Sequence, residues 1–155
     1  MVHIWLMGRT QRGFVEAGVK EYLNRLQRWR CVEWHELAAP STPSGASADY
    51  CLEKEASIWL RHWPVKGICF LLHHDGKPLT TEQWTYKLFH AVETWAQCHL
   101  LVGGAYGFHP QIRRKADEEI SLSPMVFNHQ LVRVILLEQV YRAFCIRYGV
   151  PYHHG

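Results

Sequence analysis

A chain of 155 residues, 48% hydrophobic and 20% charged, is long enough to bury the core of one domain and too apolar to stay disordered. Its 17 lysines and arginines against 14 acidic residues leave a formal charge of +3, which excludes capture of nucleic acid by bulk charge; any RNA contact must be local. Five cysteines, odd in number and never spaced CxxC, argue against a disulfide framework or a zinc knuckle. No stretch approaches the roughly 20 apolar residues that cross a bilayer, and the N-terminal apolar run lacks the basic lead of a signal peptide, so the expectation is a soluble cytoplasmic protein with no membrane partner.

Residues 2–7 read as a strand that stops at Gly8, and residues 12–28 as a helix through Phe14, Val15, Val19, Tyr22, Leu23 and Leu26. A second short strand covers 31–37. Residues 38–47, AAPSTPSGAS, are the clearest loop, either a flap or a plain surface connection, and Ser47 or Asp49 caps a helix over 49–63. Residues 67–72 and 98–102 are almost continuously apolar, as strands covered on both faces are. Between them a helix runs to about Ala96, opened by Thr80 or Thr81, with Thr80 and Gln83 in capping-box spacing. A short polar helix over 110–118 and a strand over 120–122 follow. Asn128 or His129 then leads into a final helix ending near Tyr148 and Gly149. Strand and helix alternate throughout, which is an α/β fold with a largely parallel sheet and one domain spanning 1–155.

Two strand exits carry ligand-binding character. LLVGGAYGF, residues 100–108, brings the bare backbone of Gly103, Gly104 and Gly107 to the carboxyl end of a strand, where N–H and C=O groups meet a ligand unobstructed. It matches neither GxGxxG nor a Walker loop. HHDGKP, residues 73–78, reads as a turn leaving its strand after Leu72. Together the two exits suggest a pocket at a crevice of the sheet. His73-His74 and His153-His154 sit in no HExxH frame, so no metal is expected. Ser121 and Ser123 lie outside GxSxG, and the acidic run Asp117 to Glu119 reads as a solvated helix end.

The final helix is apolar over much of its circumference, through Leu131, Val134, Ile135, Leu137, Tyr141, Phe144 and Cys145, and needs a central position or a partner subunit. Arg133 and Arg142 are about 180° apart around its axis. One reading gives Arg133 to surface solubility and pairs Arg142 with Glu138 at i, i+4; the other turns an arginine toward phosphate.

DGK, LLVGGAYGFHP, SLSPMVFNHQLVRVILLEQVYRAF and the terminal PYHHG together resemble the ribosomal large-subunit RNA pseudouridine N3-methyltransferase family, small enzymes of the SPOUT class, over essentially the whole chain. That resemblance implies an α/β fold whose C-terminal part is tied in a trefoil knot, an exception to the unknotted rule. It also implies a homodimer that uses S-adenosylmethionine to methylate N3 of a pseudouridine in 23S ribosomal RNA of the assembled 70S ribosome. By motif, Leu72, Gly103 and the run Leu122, Ser123, Pro124, Met125, Val126, Phe127 hold the cofactor. His129, Arg133 and His153 are the catalytic candidates, with Arg142 and Tyr152 on the substrate side. His129, His153, a carboxylate or solvent all remain open as the acceptor of the N3 proton. The family usually has Pro where this chain has Asn128, a residue able to cap the helix instead. Its tail commonly continues YH with Lys or Arg, whereas this chain ends His153, His154, Gly155, exchanging a permanent charge for one that titrates near neutrality. A related enzyme acting on another nucleotide, or a non-catalytic ribosome-binding module, would share these features.

Overall fold

The computed structural model describes residues 1–154; Gly155, the end of the expected tail, lies outside them. The elements run β1 (Val2–Met7), α1 (Phe14–Leu26), β2 (Val32–Leu37), α2 (Ala48–Arg61), β3 (Ile68–Pro78), α3 (Thr81–Trp95), β4 (Cys98–Val102), α4 (Pro110–Lys115), β5 (Glu118–Ser121) and α5 (Leu131–Tyr148). The five strands form one sheet in the order β2-β1-β4-β3-β5, and every neighbouring pair is parallel. Among the described residues, no helix is long and apolar enough to cross a membrane.

Helices cover both faces, which is why the strands read as apolar runs. β4 is buried at every position. Its Cys98, Leu100 and Val102 enter the core beneath α1, α3 and α5, while Leu101 points into a second core with Met7, Trp59, Leu71 and Ile112 beneath α2 and α4. Helix starts follow the local chemistry. Thr80 and Gln83 form the reciprocal capping box, and Ser47 Oγ, not Asp49, accepts from Tyr50 N at 3.2 Å to open α2.

Three elements differ from the sequence expectation. β3 does not end at Leu72: Ile120 pairs with both Leu72 and Lys77, so residues 73–76 are looped out of the ladder and the strand resumes to Pro78. Gly76 allows this, because a Cβ there would sit 2.7 Å from the Ile120 backbone. The acidic run leads into a strand and is not a helix end: Asp117 lies in the bend before β5, and Glu118 and Glu119 open it. Glu118 pairs with Lys87, Glu119 with Arg113, and Asp117 Oδ2 accepts from Cys69 N at 2.8 Å, so the edge of the sheet tolerates three carboxylates in a row. In α5, Leu131 is exposed and Val134 and Ile135 are half-buried, against the expectation that all three bury. The helix takes a central position packed on α1 and α3, burying Leu136, Leu137, Val140, Ala143, Phe144 and Cys145.

Leu100 is fully buried at the centre of the larger core. Leu100→Ala is expected to destabilise the protein by about 3 kcal/mol in urea unfolding, through lost transfer energy plus a cavity; a loss near zero would mean that α3 and α5 do not close over β4.

Candidate active site

β3 and β4 end side by side, with Leu72 in register with Val102. After Val102 the chain makes a tight loop in which Gly107 N donates to Gly104 O at 3.1 Å. Gly107 adopts φ +78°, a conformation costly for any residue with a Cβ, and a Cβ on Gly103 would strike the Gly107 carbonyl. Glu55 of α2 lies directly behind Gly104, its carboxylate where a Cβ would go. Burial pushes the Glu55 carboxyl up, against the lowering effect of the Gly104 backbone N–H, and its Oε2 is buried with no partner among the described residues. The glycines are therefore packed from behind and bare in front.

The facing wall is the segment between β5 and α5. Ser123 Oγ accepts from Met125 N at 3.0 Å, and Asn128 Oδ1 accepts from Gln130 N at 2.8 Å, closing the turn ahead of α5; the N-cap of the helix itself is Gln130, with no side-chain cap bond, so Asn128 does not cap it as expected. Between the walls is a cavity of about 240 Å³. Leu72 and Gly103 line one side, and Leu122, Ser123, Met125, Val126 and Phe127 the other, with His129 at the start of α5. Of the residues expected at the cofactor, only Pro124 does not line it. Met125 and Val126 are 71% and 74% exposed, apolar surface at the mouth.

The cavity also takes in His73, His74 and Tyr106, which the sequence reading did not assign to it. The signal for the histidines was available: they follow Leu72 directly, at one of the two suspicious strand exits. Burial lowers His73 below the usual histidine value, aided by Arg113 and His74 and opposed by Asp75 and Glu119. Burial lowers His129 as well, with the Arg133 charge adding to it. Both rings are held toward the neutral form, and the acceptor nitrogen of His73 is already engaged, Nδ1 accepting from Asp75 N at 3.2 Å.

Arg133 is placed otherwise than expected. It faces neither solvent nor phosphate; its side chain is fully buried. Nη2 donates to Met7 O at 2.8 Å, Nη1 to Gly8 O at 3.1 Å and Thr10 Oγ1 at 3.2 Å, and Nε to His129 O at 3.3 Å. Glu36 lies 4.0 Å from Nη1. Burial pushes the Glu36 carboxyl up, but donors from Thr10 and Trp34 and the Arg133 charge outweigh it and hold it low. Guanidinium is the one side chain with enough forked donors to satisfy a strand end, a loop and a helix start together. Arg133 thus touches the site only through the backbone of His129.

The remaining candidates form a second cluster that does not line the cavity. Arg142 pairs with Glu138, the i, i+4 alternative, while its guanidinium lies 4.7 Å above the Tyr152 ring and donates to His153 Nδ1 at 3.3 Å. Tyr152 OH donates to Glu138 at 3.2 Å, and burial with the Tyr22 hydrogen bond pushes its phenol up. His153 Nε2 lies 3.5 Å from Glu82. The described tail is folded back along α5.

A parallel sheet whose carboxyl-end crevice sets bare glycine backbone against an apolar wall has the form of a small-molecule binding site. The family described as "Predicted SPOUT methyltransferase" matches residues 1–153. "Ribosomal RNA large subunit methyltransferase H" of Geobacter sulfurreducens is 36% identical over 152 residues, covering 97% of each chain. Proteins of the same name from Halothermothrix orenii and Streptococcus thermophilus are 33% and 31% identical over 156 residues, covering 98% of each chain. The chain belongs to the SPOUT methyltransferase family.

Two outcomes follow from the buried charges. Arg133→Ala strands the acceptors at the end of β1 and is expected to cost about 3 kcal/mol in urea unfolding, with Arg133→Lys recovering part of it; a change within ~0.5 kcal/mol would be that of a surface arginine. His73 and His129 have folded pKa values below 6.5, so the unfolded chain binds more protons in acid. Their contribution to stability is complete above pH 6.5 and is lost as pH falls from there through the folded values. Thermal melts should drop over that window, less steeply for His129→Gln.

Proposed function

We propose that this protein transfers a methyl group from S-adenosylmethionine to N3 of a pseudouridine in 23S ribosomal RNA, acting on assembled 70S ribosomes in the cytoplasm. The observation that carries the reading is the cavity between the two strand exits, in which the Gly103 loop, the 122–127 wall and His129 converge. The names of the relatives, ribosomal RNA large-subunit methyltransferases, support the substrate class. The working form is a homodimer of single-domain chains, residues 1–155, whose C-terminal segment is tied in a trefoil knot. α5 packs against both α1 and α3 while β5 lies beside β3, an arrangement that suits threading of this segment.

The residues present suit the cofactor. Backbone N–H and C=O groups at Gly103 and along the 122–127 wall offer hydrogen bonds to an adenine edge and ribose, and Leu72, Leu122 and Phe127 offer apolar contact. S-adenosylmethionine bound there supplies an already activated methyl on a sulfonium. What is left to the protein is alignment of the attacking nitrogen and removal of one proton. An imide nitrogen is a weak nucleophile until that proton leaves, so a neutral imidazole at the site lowers the barrier. His129, at the cavity and held neutral by burial and Arg133, takes that role. Arg133 acts as a positioning residue, setting the His129 backbone from below. Arg142, Tyr152 and His153 serve the RNA, with the tail of one protomer reaching the cavity of its partner in the dimer. Arginine suits phosphate and the aromatic rings suit an unstacked base. A net charge of only +3 fits recognition of an assembled ribosomal surface better than capture of free duplex.

Incubation with labelled S-adenosylmethionine and 70S ribosomes lacking the modification, followed by mapping of the labelled base, tests the proposal. Label on N3 of one pseudouridine in 23S RNA, absent when free large subunits replace 70S ribosomes, is expected. Label on another base, or none despite cofactor binding, would reject it. His129→Gln should slow single-turnover transfer about 100-fold with cofactor affinity unchanged; an unaltered rate across pH would remove His129 as the proton acceptor.

A further inference from the structure

At the opposite end of the sheet from the cavity, three side chains from two paired strands converge. β1 and β2 pair in parallel with His3 opposite Glu33 and Trp5 opposite His35, so these residues share the face covered further along by α2 and α4. His3 Nδ1 lies 3.1 Å from Glu33 Oε2 and 3.2 Å from His35 Nε2, and His35 Nε2 lies 3.4 Å from Glu33 Oε2. The geometry points to a divalent transition-metal site, most simply Zn(II), held by His3 Nδ1, Glu33 Oε2 and His35 Nε2.

The distances carry the assignment. Zn(II) binds histidine nitrogen and carboxylate oxygen at about 2.0–2.2 Å, so ligand atoms on one face of a tetrahedron sit ~3.3 Å apart. All three edges of this triangle lie near that value. The three ligand atoms lie close enough to share one cation once the ring nitrogens facing each other are deprotonated, and two histidines with one carboxylate are a common zinc donor set. The fourth position opens to solvent, since the Glu33 side chain is 50% exposed, and takes water.

The rings are fixed before any cation arrives. His3 stacks on His99 with centroids 4.7 Å apart, and His35 on Trp5 at 4.1 Å. The Trp5 indole donates to His99 Nδ1 at 3.1 Å, so His99 carries its proton on Nε2 and donates it to Lys66 O at 2.8 Å. With both nitrogens engaged, His99 serves as a platform and not a ligand. Nε2 of His3 is buried with no partner among the described residues, and Nδ1 is the nitrogen that faces Glu33 and His35. A cation here would pin β2, an edge of the sheet, to β1, and so stabilise the strand whose Glu36 accompanies Arg133.

Cobalt(II) titration of the chelator-stripped full-length protein is the test, because tetrahedral cobalt has strong visible bands and is displaced by zinc. Expected are one cobalt per chain with tetrahedral bands, and a zinc-dependent rise in melting temperature. Both signals should be lost in His35→Ala and in Glu33→Gln, each checked by circular dichroism to be folded. Bands that persist in either folded variant would put the cation elsewhere, for instance at His73, His74 and Asp75 beside the cavity. Absence of bands and of a thermal shift in the unaltered protein would leave a hydrogen-bonded triad only; both results overturn the site.

Discussion

The Arg133 guanidinium, shut away from water inside the protein, is the constraint on which the rest of the structure turns. A buried cation survives only if its donors are largely matched, and contacts to Met7, Gly8, Thr10 and His129 take up four of the five N–H groups. Those acceptors belong to the end of β1, the loop after it and the turn into α5. One side chain therefore sets the relative position of the first strand and the last helix. Gln130 reinforces it from the same turn, accepting from Gln11 N at 2.9 Å and donating to Arg9 O at 3.1 Å.

The cavity inherits its shape from that clamp on one side and from close packing on the other. The 122–127 wall is suspended between Ser121, buried at the end of β5, and the clamped start of α5. The glycine loop has no side chain to hold it, and Glu55 supports it from α2. Bare backbone in front and a carboxylate behind is a costly arrangement, since one oxygen of Glu55 finds no partner among the described residues. Such a cost is expected where a fold keeps a surface free for a ligand.

Much of this was legible in the chain. Continuous apolar runs identified β4 and the first half of β3, Thr80 with Gln83 announced α3, and the glycines after Val102 marked one wall of the cavity, because each signal is local. What escaped was set by distant partners. Arg133 reads as a surface or phosphate-facing residue until its acceptors, 125 residues earlier in the chain, are in place. Asp75-Gly76 is a turn signature, yet it loops out within a strand because Ile120 pairs twice. The acidic pair Glu118 and Glu119 joins the sheet only because Lys87 and Arg113 stand beside it. His3 and His35 meet through strand register, which no spacing rule encodes.

The central claim is that the cleft between the two strand exits seats the methyl donor. Backbone hydrogen exchange on the full-length protein, with and without saturating S-adenosylmethionine, addresses it directly. Slower exchange at residues 103–107 and 122–129 together, with residues 38–47 unchanged, is the result the account predicts. Binding that leaves residues 103–107 unprotected, or protects a different surface, would contradict it.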